Sequence, residues 1–157
     1  IEETKQLGTA GAVGNVDISQ WEDFLVINAD IITDLNFQAL FDQHTRDQAN
    51  LTVATYTRDT KIDFGVIEMD PENHHIIGFR EKPIYSFIVS MGVYAMNRKV
   101  LHDVPDSAFG FDDLIHKLLE KKEQIHVFPY SGYWLDIGRP DDYEKANNDL
   151  PTIEGFL

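Results

Sequence analysis

The run Phe24-Leu25-Val26-Ile27 leads into Asn28-Ala29-Asp30, and more than a hundred residues later Tyr133-Trp134-Leu135 leads into Asp136-Ile137-Gly138. A short run of Val, Ile, Leu and Phe without polar alternation reads as a strand buried on both faces, which needs a sheet covered by helices. In open sheets of that kind ligands gather at the carboxyl ends of the strands. Two such strands ending in aspartate direct both carboxylates toward one cleft. Carboxylates sharing a cleft repel, and Mg²⁺ held by one or two of them together with substrate phosphates relieves the repulsion.

The intervening chain supplies the rest of an α/β domain. Gly8-Thr9-Ala10-Gly11-Ala12-Val13-Gly14 reads as a loop turning into a short helix. Residues 36–49 read as an amphipathic helix with Phe37, Leu40 and Phe41 inward and Gln43, His44 and Arg46 outward. A strand over 51–56 completes a β-α-β unit, which favours parallel pairing and a right-handed crossover. The middle changes character: residues 64–69 and 76–80 flank Asp70-Pro71-Glu72-Asn73-His74-His75, whose Pro and Asn mark the turn of an inserted antiparallel ribbon. Residues 87–96 form a further apolar strand. Residues 111–119 have the i, i+3, i+4, i+7, i+8 pattern of a helix with one buried face. Strands over 125–130 and 133–137 follow. Pro140, with Asp141 and Asp142 in the first turn, opens a closing helix. No repeat, linker or second-domain boundary interrupts the 157 residues.

Charge narrows the partners. Lys and Arg number 13 against 27 Asp and Glu, and no basic stripe breaks this background, so nucleic acid and anionic membranes are excluded as expected partners. An acidic chain still binds an anionic nucleotide where a divalent cation and local donors offset its field. With no cysteine there are no disulfides and no thiolate chemistry. No apolar run reaches the roughly 20 residues of a membrane span and no signal peptide opens the sequence, so a cytoplasmic location is the default expectation. The opening at Ile1 rather than Met reads as the start of a fragment.

Six segments in order, Leu7-Gly8-Thr9-Ala10-Gly11-Ala12, Leu25-Val26-Ile27-Asn28-Ala29-Asp30, Gly65-Val66, Phe79-Arg80-Glu81-Lys82-Pro83, Ser90-Met91-Gly92-Val93-Tyr94 and Trp134-Leu135-Asp136-Ile137-Gly138, resemble the sugar-1-phosphate nucleotidylyltransferases. The resemblance implies a Rossmann-like mixed, mostly parallel sheet flanked by helices. It also implies transfer of a nucleotidyl group from a nucleoside triphosphate to a hexose-1-phosphate, giving an NDP-sugar and pyrophosphate. The family's first strand and its Arg- and Lys-bearing glycine loop lie before the matched part. Residues 1–157 therefore read as the C-terminal portion of one nucleotidyltransferase domain, inactive or nearly so in isolation. Its exposed central strand edge is expected to drive homo-oligomerisation or aggregation.

Residue by residue, the resemblance makes Asp30 and Asp136 the ligands of Mg²⁺, the implied cofactor. Gly8, Thr9 and Gly11 become the loop touching nucleobase and ribose. Glu81 accepts bonds from sugar hydroxyls and Lys82, counted with the two aspartates as catalytic, holds the sugar phosphate. Gly65 and Ser90 are lesser sugar contacts. Ala29 stands where the family commonly has Gly, and its methyl group narrows the room for substrate. The segment around Gly8 looks closest to guanylyl-, uridylyl- or thymidylyl-transferring relatives, while Ser90-Met91-Gly92 is similar to adenylyl-transferring ones; the type implied is a mannose-1-phosphate guanylyltransferase or glucose-1-phosphate nucleotidylyltransferase, with the nucleotide and the sugar left open.

Other features have plainer readings. Adjacent strand residues point to opposite faces, so His74 and His75 do not share a metal. Trp134 reads as packing, His116 as the polar side of its helix and Gly138 as the turn after Asp136. Two other functions stay open: a non-catalytic sugar-nucleotide-binding module and, ranked lower, a nucleotide-sugar-dependent glycosyltransferase. The latter lacks the first acid of an Asp-any-Asp pair at Asn28 and has no use for Glu81-Lys82-Pro83.

Overall fold

The computed structural model describes the backbone of residues 5–153, with side chains as far as residue 149. Residues 1–4 and 154–157, the two ends of the expected 1–157 domain, lie outside the described residues. In order along the chain come α1 (Gly8–Val13), β1 (Asp23–Ile27), β2 (Ile31–Thr33), α2 (Phe37–Asp47), β3 (Leu51–Lys61), β4 (Gly65–Met69), β5 (Ile76–Glu81), β6 (Ile84–Asn97), a 3₁₀ turn (Arg98–Asp103), α3 (Phe111–Glu120), β7 (Ile125–Tyr130), β8 (Trp134–Asp136) and α4 (Pro140–Ile153).

The main sheet has the order β1-β6-β3-β7. Strands β1, β3 and β7 run one way and β6 opposes them, antiparallel to both β1 and β3. The expected β-α-β unit is present in direction only: β1 and β3 are parallel, but β6 lies between them. A later strand that pairs with both takes that place, and nothing local to residues 24–56 encodes it.

Period-two alternation distributes the core between the two faces. Leu51, Val53, Tyr94 and Met96, with Phe24 and Val26, face one layer, where Leu114, Leu118 and Phe111 of α3 and Ala10 of α1 cover them. Ala54, Met91, Val93 and Ala95, with Leu25, face the other, under Leu40 of α2 and Trp134 of β8. Tyr94 and Phe111 stack with ring centroids 3.9 Å apart and planes at 6°. Asn36 caps α2, its side-chain oxygen accepting the Ala39 N–H at 3.0 Å.

Strands β3 and β6 continue past the body of the sheet as a two-stranded ribbon, pairing as far as Lys61 with Ile84. The β4–β5 hairpin leaves its tip, with Ile67 opposite Phe79 and Gly65 opposite Glu81. His74 takes φ 60 in the hairpin turn.

His44 is corrected from the solvent side of α2 to the interior. It is 1% exposed, with Nδ1 2.8 Å from Thr52 Oγ1 and Nε2 3.4 Å from Asp23 Oδ1. Phe37, Leu40, Phe41 and His44 stand at i, i+3, i+4 and i+7, so helical geometry places His44 with the apolar residues regardless of its polarity. Burial holds its pKa below the ordinary histidine value, and Asp23 opposes the shift without cancelling it. The unfolded chain therefore binds more protons than the folded one as the pH falls below about 6.5, and stability falls in that window. Urea midpoints followed from pH 7 down to about pH 5 are expected to drop more steeply for the unmodified chain than for His44→Gln. Equal slopes would contradict this account.

Candidate active site

Strand β1 ends at Ile27, and the Asn28 N–H donates to the Gly92 carbonyl at 2.9 Å. Gly92 has φ +73, and a Cβ there would stand 2.8 Å from Asn28 Nδ2. This glycine is required by backbone conformation and by the close approach of β1. The chain then turns through Ala29 and Asp30 into β2, three residues that sequence periodicity does not reveal. Strand β2 pairs antiparallel with β8, setting Ile31 opposite Asp136. The Ile137 N–H donates to the Asp30 carbonyl at 2.9 Å. This small ladder joins the two aspartates. The β-branched triplet Ile31-Ile32-Thr33, directly after Asp30, was its sequence signal.

The carboxylates meet over Gly138. A Cβ on Gly138 would stand 3.1 Å from Asp30 Oδ2 and 3.1 Å from Asp136 Oδ1, so the two oxygens are no farther apart than twice that distance. The Gly138 N–H donates to Asp136 Oδ1 at 3.1 Å. Glycine here makes the expected turn and also keeps the space between the acids clear. Two hard oxygen donors opening on one clear space suit Mg²⁺, which takes few protein ligands and completes its shell with water and phosphate oxygens. Among the described residues no group of three or more His, Cys, Asp or Glu is arranged to hold a metal, so phosphates and water would complete the shell around the pair.

Asp30 also lines an open cleft of about 520 Å³ with Thr9, Asn28, Ala29, Phe111 and Ile137. Thr9, expected to touch the nucleotide, and Asp30, expected to hold the metal, therefore line the same cleft. Gly8 and Gly11 have a packing role. Gly8 has φ +73, and a Cβ there would stand 2.7 Å from the Phe109 carbonyl oxygen; one on Gly11 would stand 3.0 Å from that of Ser107. Both glycines are accounted for by the 107–109 segment.

The sugar-phosphate set divides in two. Gly65 and Glu81 are cross-strand partners, Glu81 Oε2 lying 3.2 Å from the Gly65 Cβ position, and Lys82 follows with φ 44 and its N–H donating to Phe64 O at 3.3 Å. These three stand at the base of the hairpin, and both Glu81 and Lys82 are exposed. Ser90 is separate. It lies six positions along β6 from Ile84, roughly 20 Å of extended strand, and is tied locally: Oγ lies 3.1 Å from Tyr94 Oη and accepts the Gly92 N–H at 3.3 Å. Trp134 is packing, as expected: it is 7% exposed, and its indole N–H donates to the Met91 carbonyl at 3.1 Å.

Two residues that sequence reasoning missed stand behind Asp136. Arg58 donates through Nη2 and Nη1 to the two oxygens of Asp142, at 2.7 and 2.9 Å. Its guanidinium lies 5.7 Å from the Trp134 ring centroid. Asp142 is 5% exposed, and its Oδ2 also accepts the Asp136 N–H at 3.3 Å. The Arg58 fork holds the Asp142 carboxyl below the usual range, and Asp142, with weaker help from Asp136 and Asp141, holds Arg58 above its own. The partners are 84 residues apart, and no local pattern links them.

Comparison with known proteins agrees with this architecture. A family model described as nucleotidyl transferase matches residues 1–153. The mannose-1-phosphate guanyltransferase of Emericella nidulans is 31% identical over 149 residues, covering 90% of this chain and 40% of that protein. The mannose-1-phosphate guanylyltransferase catalytic subunit beta of Dictyostelium discoideum is 30% identical over 145 residues, again covering 90% and 40%. The crystal structure of HddC from Yersinia pseudotuberculosis superposes with a TM-score of 0.68 at 26% identity, covering 94% of this chain and 64% of that one. The chain thus spans about two fifths of the length of these curated relatives. Among the described residues no helix is long and apolar enough to cross a membrane. A match over nearly the whole chain, together with this mixed sheet and six motifs in order, shows that the chain belongs to the nucleotidyl transferase family.

Proposed function

We propose that the protein at its full length transfers a nucleotidyl group from a nucleoside triphosphate to a hexose-1-phosphate, and that residues 1–157 are the C-terminal portion of its single nucleotidyltransferase domain. The observation that carries the reading is the convergence of Asp30 Oδ2 and Asp136 Oδ1 on the space left open by Gly138. A phosphate oxygen of the sugar-1-phosphate attacks the α-phosphorus, a new P–O bond forms, and the bond to the β-phosphate breaks to release pyrophosphate. Asp30 and Asp136 would hold Mg²⁺, which when bound supplies Lewis-acid stabilisation of charge on the transferring phosphate.

The chain's own groups bind and orient. Thr9 would face the nucleotide in the cleft, with Gly8 and Gly11 shaping the short helix that carries it. Lys82 brings a compact positive charge to the sugar phosphate, Glu81 accepts from sugar hydroxyls, and Gly65 is a lesser contact that offers its backbone beside them. Ser90 is a lesser sugar contact. The names of the relatives favour guanylyl transfer to mannose-1-phosphate over the adenylyl alternative. Nucleoside triphosphates are cytoplasmic metabolites, and a cytoplasmic location goes with such substrates.

The test is pyrophosphate release by the full-length protein with Mg²⁺ across a panel of nucleoside triphosphates and hexose-1-phosphates. Release that depends on the sugar phosphate, with GTP and mannose-1-phosphate the fastest pair, is expected. Triphosphate turnover indifferent to the sugar, or none with any pair, would overturn the reading.

A further inference from the structure

We propose that Arg58 and Asp142 act as a positioning pair for Asp136, fixing the backbone from which that carboxylate reaches the metal; this rests on the reading of Asp30 and Asp136 as metal ligands. Strand β8 is only three residues long, and its ladder with β2 holds Asp136 on one side. On the other side the Asp136 N–H is taken by Asp142 Oδ2 at 3.3 Å. That oxygen and its twin are occupied in turn by both Nη groups of Arg58. Arg58 also covers Trp134, two residues before Asp136, whose indole is anchored to Met91 O. The segment 134–136 is therefore tied to the ribbon strand β3 and to the first turn of α4 through one bidentate ion pair.

The arrangement is a costly way to fasten a helix. It brings a third, nearly buried carboxylate next to two that already repel, and the Arg58 charge, with weaker help from Arg139, offsets it. An apolar contact between α4 and the sheet would anchor the helix as well, and replacing a buried ion pair by packed apolar groups is often neutral or stabilising. An apolar contact cannot accept the Asp136 N–H. Outer-shell groups that orient a metal ligand typically change metal affinity 10- to 100-fold when removed, and this pair would act in that way through the Asp136 backbone N–H rather than through the carboxylate.

The test uses the full-length protein with Mn²⁺ as a spectroscopic stand-in for Mg²⁺, its affinity measured by electron paramagnetic resonance without substrates. Asp142→Ala and Arg58→Met are expected to weaken Mn²⁺ binding roughly 10- to 100-fold, and Arg58→Lys by less, since one ammonium cannot reproduce the fork. The double variant Arg58→Met/Asp142→Leu removes the charges together and separates folding from positioning. It is expected to keep its melting temperature while Mn²⁺ binding stays weak. Recovery of normal Mn²⁺ affinity in this double variant would reduce the pair to a packing element and overturn the inference.

Asp136→Asn distinguishes this failure from failure of the reading beneath it. If that variant binds Mn²⁺ like the unmodified protein, the metal assignment falls. If it loses Mn²⁺ while Asp142→Ala does not, the positioning role alone falls. The backbone amide resonance of Asp136 gives a metal-independent reading: it is expected to move upfield in Asp142→Ala as its bond to the carboxylate is lost, and an unmoved resonance also overturns the inference.

Discussion

Asp136→Asn is expected to lower the rate of pyrophosphate release by the full-length protein by roughly a hundredfold or more at saturating Mg²⁺. The substitution is isosteric and keeps an oxygen to accept the Gly138 N–H, so the turn and the β2–β8 ladder survive. What it removes is one of the two negative charges facing the space over Gly138. Lewis-acid stabilisation of a developing phosphate charge is worth several kcal/mol, and each 1.4 kcal/mol or so is a factor of ten in rate. The loss is expected in kcat more than in the KM for the sugar phosphate, because the stabilisation is strongest in the transition state. A rate within about tenfold of the unmodified enzyme, with an unchanged melting temperature, would show that Asp136 does not hold the metal.

Leu114→Ala is expected to cost about 3 kcal/mol of folding stability, the second large effect. Leu114 is fully buried, in the cluster that α3 forms against Leu51, Val53 and Met96 of the sheet. Leucine truncation at such a site loses the transfer free energy of the removed carbons and leaves a cavity, because strands paired on both sides cannot close in on it. Equilibrium urea unfolding measures the change; a loss under about 1 kcal/mol would mean that α3 repacks freely on the sheet. The same helix carries Phe111, which stacks on Tyr94 and lines the cleft beside Asp30. Loosening α3 is thus expected to reach the cleft wall as well as the core.

The legible parts of this protein are those in which one element carries its own signal. The hairpin over 64–80 is read from Pro71, Asn73 and the flanking apolar runs, and it is found as β4 and β5. The helix over 111–119 is read from its apolar period and found within one residue at its C-terminal end. His44 is legible too, since position i+7 of its helix points inward whatever the polarity of the residue there. Strand β2 escaped because three residues are too few for a period to show.

The chain's own order of apolar runs, turns and strand-end acids determined that helices cover both faces of a mixed sheet and that Asp30 follows a strand and Asp136 closes one, because burial and turn chemistry are set over a few neighbouring residues. Only the tertiary structure decided that β6 separates β1 from β3, that β2 and β8 bring the two acids over Gly138, and that Arg58 reaches Asp142 across 84 residues. Contacts of that kind depend on which distant surfaces the whole chain must bury together, and that is a property of the completed fold.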